Sequence, residues 1–153
     1  MVPRAALQPI HAPGPRPDPL TSGPFVYVAG KWADKASVRT VQSALVAAGM
    51  VVSHDWTASE EPGRPCEAAT GDATAAATSH AVVAVYSDPE YAYRGTNFEL
   101  GVALGAGVPV FVYHTPDFVR RSGPDSYVYS NVFAHLPFPV YTNLADLVAA
   151  MTD

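Results

Sequence analysis

Three observations predict an α/β fold, a three-layer doubly wound parallel sheet of flavodoxin-like or Rossmann-like order. Short β-rich runs alternate with helix-length segments; one run, Ala81-Val-Val-Ala-Val-Tyr86, is apolar almost without a break; and glycines close the elements. Alternating strands and helices imply β-α-β units with right-handed crossovers. A strand apolar towards both faces belongs at the centre of a sheet covered by helices on each side.

The elements follow in order. Residues 1–23 carry Pro3, Pro9, Pro13, Pro15, Pro17 and Pro19, a density that removes backbone donors and predicts a flexible leader ahead of one folded domain over 24–153. Phe25-Val-Tyr-Val-Ala-Gly30 reads as the first strand. Val38, Val41, Leu45 and Ala48 recur at helical spacing, predicting a helix over Ala36–Ala48 with Gly49 past its end. Met50–Trp56 reads as a second strand, Thr57–Pro65 as a surface loop and the alanine-rich Cys66–Ser79 as a helix. After the central strand, a helix is expected over Thr96–Ala106 and a strand over Pro109–Tyr113; Val140-Tyr141 and Thr142–Met151 read as the last strand and helix.

Composition narrows the function. With 153 residues, 48% apolar and 15% charged, the chain holds one core and one active site. The net charge is −5, and nine Lys+Arg are spread thinly; without a basic stripe, nucleic-acid polymers are not expected partners. The single cysteine, Cys66, forms no internal disulfide and fits a reducing, cytoplasmic compartment. The longest apolar runs fall far below the roughly 20 residues that span a bilayer, and prolines interrupt the N-terminus before a signal-peptide core. Neither membrane insertion nor secretion is expected. No Gly-x-Gly-x-x-Gly follows the first strand and no Gly-x4-Gly-Lys-Ser/Thr occurs. His11, His54, His80, His114 and His135 never fall at i, i+4 spacing. No metal and no cofactor are expected.

In a doubly wound sheet, ligands bind beyond the carboxyl ends of the strands, where strand order reverses. That directs attention to Tyr27–Trp32, His54–Thr57, Tyr86–Glu99 and Tyr113–Asp117. Arg94-Gly-Thr-Asn-Phe-Glu-Leu-Gly101 admits two readings. Thr96 and Glu99 have the capping-box spacing, each satisfying a free amide at a helix start. The same placement points a carboxylate from the first helical turn at the ligand crevice. Tyr27 ends the first strand at that rim, either as a half-buried aromatic or as a phenol that orients a carboxylate. Asp72 is either a solvated helix residue or a second carboxylate of the site. Trp56 is either rim packing or a surface for a base to stack on.

Together these residues resemble the nucleoside 2-deoxyribosyltransferase family and the related deoxynucleoside-monophosphate N-glycosidases. Phe25-Val-Tyr-Val-Ala-Gly-Lys-Trp32 is similar to the family's opening strand and loop, and Gly95-Thr-Asn-Phe-Glu-Leu-Gly101 to its Gly-x-x-x-Glu-Φ-Gly nucleophile segment, where Φ is apolar. Asp72 precedes Glu99 by a spacing like that of the family's other essential carboxylate. The resemblance implies Glu99 as nucleophile, Asp72 as acid and Tyr27 as the phenol that steadies Glu99. Gly30, Trp32, Trp56, Tyr93, Arg94, Gly95 and Thr96 are the expected substrate contacts. An asparagine lent by a neighbouring subunit is echoed by Asn131, implying a homo-oligomer, with the aromatic-rich stretch Tyr127–Phe138 as a surface between subunits. The chain departs from the family at Glu90-Tyr-Ala-Tyr-Arg94, where transferases carry an aspartate for the base and the monophosphate glycosidases a small hydroxyl residue for phosphate. Arg94 is an oxyanion ligand by its planar fork or an exposed surface residue.

The expected reaction is cleavage of a nucleoside or nucleotide N-glycosidic bond through a glycosyl-glutamate, with transfer to another base or to water. Two other functions fit the same crevice: a nucleotide-binding module without catalysis, and hydrolysis of another N-riboside such as NAD.

Overall fold

The five strands form one all-parallel sheet in the order β2-β1-β3-β4-β5: β1 Phe25–Ala29, β2 Val51–Val52, β3 Ala81–Tyr86, β4 Val110–His114 and β5 Val140–Tyr141. This is the flavodoxin-like order, and it reverses between β1 and β3. The computed structural model describes residues 23–60 and 63–153; the proline-rich leader expected over 1–23 lies outside the described residues apart from Gly23. Helices α1 Lys35–Ala47, α2 Pro65–Thr78, α3 Arg94–Gly105, α4 Pro116–Arg121 and α5 Leu144–Thr152 connect or follow the strands.

β1 and β3 form the centre. Val26 to Ala29 and Val82 to Tyr86 are all buried, and each buried valine contributes about 1.5–3 kcal/mol relative to exposure. Helix α1 buries Val38, Val41 and Leu45 along one stripe. Asp34 caps it by accepting from the Ser37 amide at 3.2 Å, and Gly49 follows its end at φ +90°, a left-handed position that favours glycine. Among the described residues, no helix is long and apolar enough to cross a membrane.

Several expected boundaries are corrected. The second strand is two residues long, not the seven of Met50–Trp56. The indole N–H of Trp56 donates to the Val28 carbonyl at 2.9 Å, filling an acceptor that a longer β2 would have taken, and the chain leaves the sheet for a 3-10 turn at Trp56–Ala58 capped by Asp55. Helix α3 begins at Arg94 rather than Thr96, and its N-cap is Tyr93 at φ +48°, with no side-chain cap. The stretch from Pro116 to His135, for which no element was expected, contains α4 and two 3-10 turns, Tyr127–Ser130 and Val132–His135. Thr115 caps α4 by accepting from the Phe118 amide at 3.2 Å, and Pro116 occupies its first turn, as its fixed φ favours.

Candidate active site

The reversal point between β1 and β3 opens into a pocket of about 230 Å³. Its floor is Tyr27 of β1, its walls are Asp72 of α2 and Glu99 of α3, and its mouth is lined by Trp32, Trp56 and Tyr91. Helices α2 and α3 pack against each other, and this brings together two carboxylates that lie 27 residues apart in the chain.

The capping-box reading of Thr96 and Glu99 does not hold. Because α3 starts two residues before Thr96, Glu99 lies in the second turn, beyond reach of the first free amide, and its carboxyl faces Tyr27 and Asp72 instead. Burial, then the neighbouring Asp72 charge, raises the Glu99 pKa from its ordinary 4.5 to about 8, with the Tyr27 hydrogen bond opposing the rise. Tyr27 is 1% exposed. Its phenol is pushed far above the ordinary range by burial first and then by the Glu99 and Asp72 charges, so it acts as a donor to carboxylates. Asp72 is no solvated helix residue: its Oδ1 is buried and accepts no hydrogen bond, while His54 Nε2 lies 3.4 Å away.

The mouth is aromatic. Trp32 and Trp56 stack with ring centroids 5.7 Å apart and 26° between planes. Trp56 is 9% exposed and Trp32 37%, so one is fixed in the wall and the other is open to the pocket. Lys35 lies 4.1 Å over the Trp32 ring. Gly30 lines the pocket where a Cβ would meet Val38 Cγ2 at 2.5 Å, so any side chain there would displace α1. Gly95 has open space where a Cβ would stand, and with Thr96 it lines the pocket at the start of α3.

Other expected residues fall elsewhere. Tyr93 borders the pocket, but it is fully buried, and its phenolic oxygen accepts from the Ser87 and Asp88 amides at 2.8 and 2.9 Å. It shapes the β3–α3 loop rather than presenting a hydroxyl. Arg94 is exposed and does not line the pocket. Asn131 lies outside it as well, its Oδ1 accepting from the Phe133 amide at 3.0 Å. Reading the sequence missed Ser59, Ala68 and Tyr91 of the lining. Tyr91 lies under Lys31 at 4.9 Å, and Lys31 in turn bonds Asp88 at 2.7 Å, tying the loops after β1 and β3 together at the mouth. Among the described residues, no three His, Cys, Asp or Glu side chains are grouped to hold a metal ion.

The arrangement places two carboxyls and a phenol around one space, beside aromatic faces and away from any lining cation. Such a set can stabilise positive charge on a substrate, form an ester with it and move one proton.

The nucleoside 2-deoxyribosyltransferase family model matches residues 26–125, a span that includes Tyr27, Asp72 and Glu99 but not Asn131. Among solved structures, the chain is similar to BcmB, a CMP N-glycosidase of Clostridium botulinum, at 16% identity and a TM-score of 0.49, covering 83% of this chain and 96% of that one. No curated protein matches the chain.

Proposed function

This chain belongs to the nucleoside 2-deoxyribosyltransferase family, and we propose that it cleaves the N-glycosidic bond of a nucleoside or nucleotide through a covalent glycosyl-glutamate on Glu99. The observation that carries this reading is the mutual contact of Glu99, Asp72 and Tyr27 at one pocket.

Breaking the C1′–N bond develops oxocarbenium character on the sugar. The Glu99 carboxylate forms a bond to C1′ as the C1′–N pair departs with the base, and the Asp72 carboxyl gives its proton to that base. A second base or a water molecule then attacks C1′ of the ester. Asp72 takes the acceptor's proton, and Glu99 leaves as a carboxylate. Both steps need one proton on the pair of carboxyls. At neutral pH the pair's one proton is on Glu99, because burial and the Asp72 charge disfavour its ionisation, and it passes to Asp72 as Glu99 attacks C1′. Tyr27 donates to the carboxylate that reacts and keeps it in one rotamer. Trp32, stacked on the fixed Trp56, offers a face for the base, and Gly95 and Thr96 border the sugar end.

The pocket's small volume and its acidic floor support a small nucleoside or nucleotide as substrate, not a polymer. The exposed Tyr127, Val132 and Phe133 support a homo-oligomer, with Asn131 at the contact between subunits, and a cytoplasmic setting suits the exposed Cys66. The test is direct: chromatography of the free base after incubation with a panel of nucleosides and 5′-monophosphates, with and without a second base. Base release, and exchange when a second base is present, is the expected result; no release from any member overturns the reading.

A further inference from the structure

Asp72 Oδ1 is a buried carboxylate oxygen with no hydrogen bond, and such an atom is costly unless something compensates its charge. The Tyr27 phenol is one polar neighbour of the Asp72 carboxyl; the His54 ring is another, with Nε2 3.4 Å from Oδ1. A contact about 0.3 Å shorter would be in hydrogen-bonding range, and the half-exposed ring has freedom to close it. On its other side, the His54 ring lies against Tyr27, nearly parallel, with centroids 6.4 Å apart. His54 therefore stands behind both the acid and the phenol of the cluster, outside the pocket lining.

The sequence of α2 makes room for this ring. Gly71 lies inside Pro65–Thr78, where glycine is less favourable than alanine. A Cβ at that position would stand 3.3 Å from both Cε1 and Nε2 of His54. The helix carries a glycine at the one turn where the imidazole approaches Asp72.

We infer that His54 is a positioning residue for Asp72: its Nε2 holds the buried Oδ1, so that Oδ2, on the part of the side chain open to the pocket, is aimed at the leaving base. The inference rests on the proposed cleavage reaction. His54 touches no reacting atom; it acts through Asp72, so its removal hurts only where the base needs a proton.

The test compares wild type with His54→Leu, His54→Gln and Gly71→Ala, measuring kcat, KM and Tm. Each is assayed on the best substrate of the panel and on an analogue whose base leaves without that proton, N7-methylated for a purine or 5-fluorinated for a pyrimidine. His54→Leu should lower kcat about tenfold or more on the ordinary substrate and less than about threefold on the analogue, with KM nearly unchanged. His54→Gln, which keeps a donor, should recover part of the loss. Gly71→Ala should lower kcat in the same selective way while Tm holds or rises. Equal losses on both substrates, or full activity of His54→Leu, would overturn the assignment. Absence of base release by the wild type would instead overturn the proposed reaction itself.

Discussion

Among the described residues, two pockets at the carboxyl ends of the strands bury ionisable groups in different company. The one at the β1/β3 reversal joins Glu99, Asp72 and Tyr27. The other, about 190 Å³ beside the end of β4, gathers His114, Phe118, Tyr129 and Phe133 under the turns that follow α4. The His114 ring lies tilted with its centroid 4.3 Å from that of Phe118 and packs edge-on with Tyr86, and its pKa falls to about 4 with burial as the cause. Glu99 is displaced in the other direction, to about 8, and there the Asp72 charge adds to burial while the Tyr27 hydrogen bond opposes both. Burial perturbs both groups, but in the first pocket a second carboxyl and a phenol face the same space, so a proton has somewhere to go. On the proposed function, the perturbed pKa in the first pocket belongs to the reaction and that in the second to packing.

The comparison can be broken most forcefully at the acids. Replacing Glu99 by Gln should abolish turnover, and Asp72→Asn should lower kcat by about 10²–10⁴-fold, both read by base release. Glu99→Gln also tests the linkage. The folded Glu99 carboxyl keeps its proton up to about pH 8, whereas in the unfolded chain it loses it near 4.5. The folded state thus binds more protons between those values, and stability falls as pH rises through that window. Activity should fall as pH rises through about 8, because the pair of carboxyls then loses the one proton that both steps need. In Glu99→Gln, that part of the decline in Tm with pH should disappear; an unchanged Tm–pH curve would show that Glu99 does not hold the proton.

A smaller effect is expected at Tyr27. A hydrogen bond to a charged group is worth about 1.5–3 kcal/mol, so Tyr27→Phe should lower kcat about ten- to a hundredfold and move the falling limb of the pH–rate profile to higher pH, since that bond is what lowers the Glu99 pKa. The smallest effect should come from the second pocket. His114→Phe preserves the aromatic contact and removes a group that is already neutral, so kcat and its pH profile should match wild type, with a stability change below about 1.5 kcal/mol by denaturant titration. A shifted pH profile in His114→Phe would erase the distinction between the pockets.

Much of the fold was legible because its signals are local. The near-unbroken apolar run of β3 announces a strand covered on both faces, the β-rich run closed by Gly30 announces β1, and the 3- and 4-residue spacing of Val38, Val41 and Leu45 announces α1. The shortness of β2 was not legible, because it depends on an indole from Trp56 reaching the Val28 carbonyl across the sheet. Helix α4 had its marks, Thr115 as cap and Pro116 after it, but six residues are too few for periodicity to show. The start of α3 was misplaced because Tyr93 adopts a left-handed conformation stabilised by two amides accepted at its own phenolic oxygen, a bond set by the loop's tertiary path. In the site, Glu99 and Tyr27 were readable from motif and position. Asp72 was not separable from a solvated helix residue until α2 packed on α3. His54 and Gly71 carry no signal singly, since each is explained only by the other.

The account turns on a covalent bond at Glu99. The most direct measurement is mass spectrometry of the protein after incubation with a 2′-fluorinated analogue of its substrate, in which the electron-withdrawing fluorine slows breakdown of the glycosyl ester by destabilising the oxocarbenium-like transition state. The account predicts a mass increase equal to one fluorinated sugar, lost in Glu99→Gln and mapped by proteolysis to the peptide carrying Glu99. Base release from the analogue without any adduct, or an adduct on another residue, would contradict it.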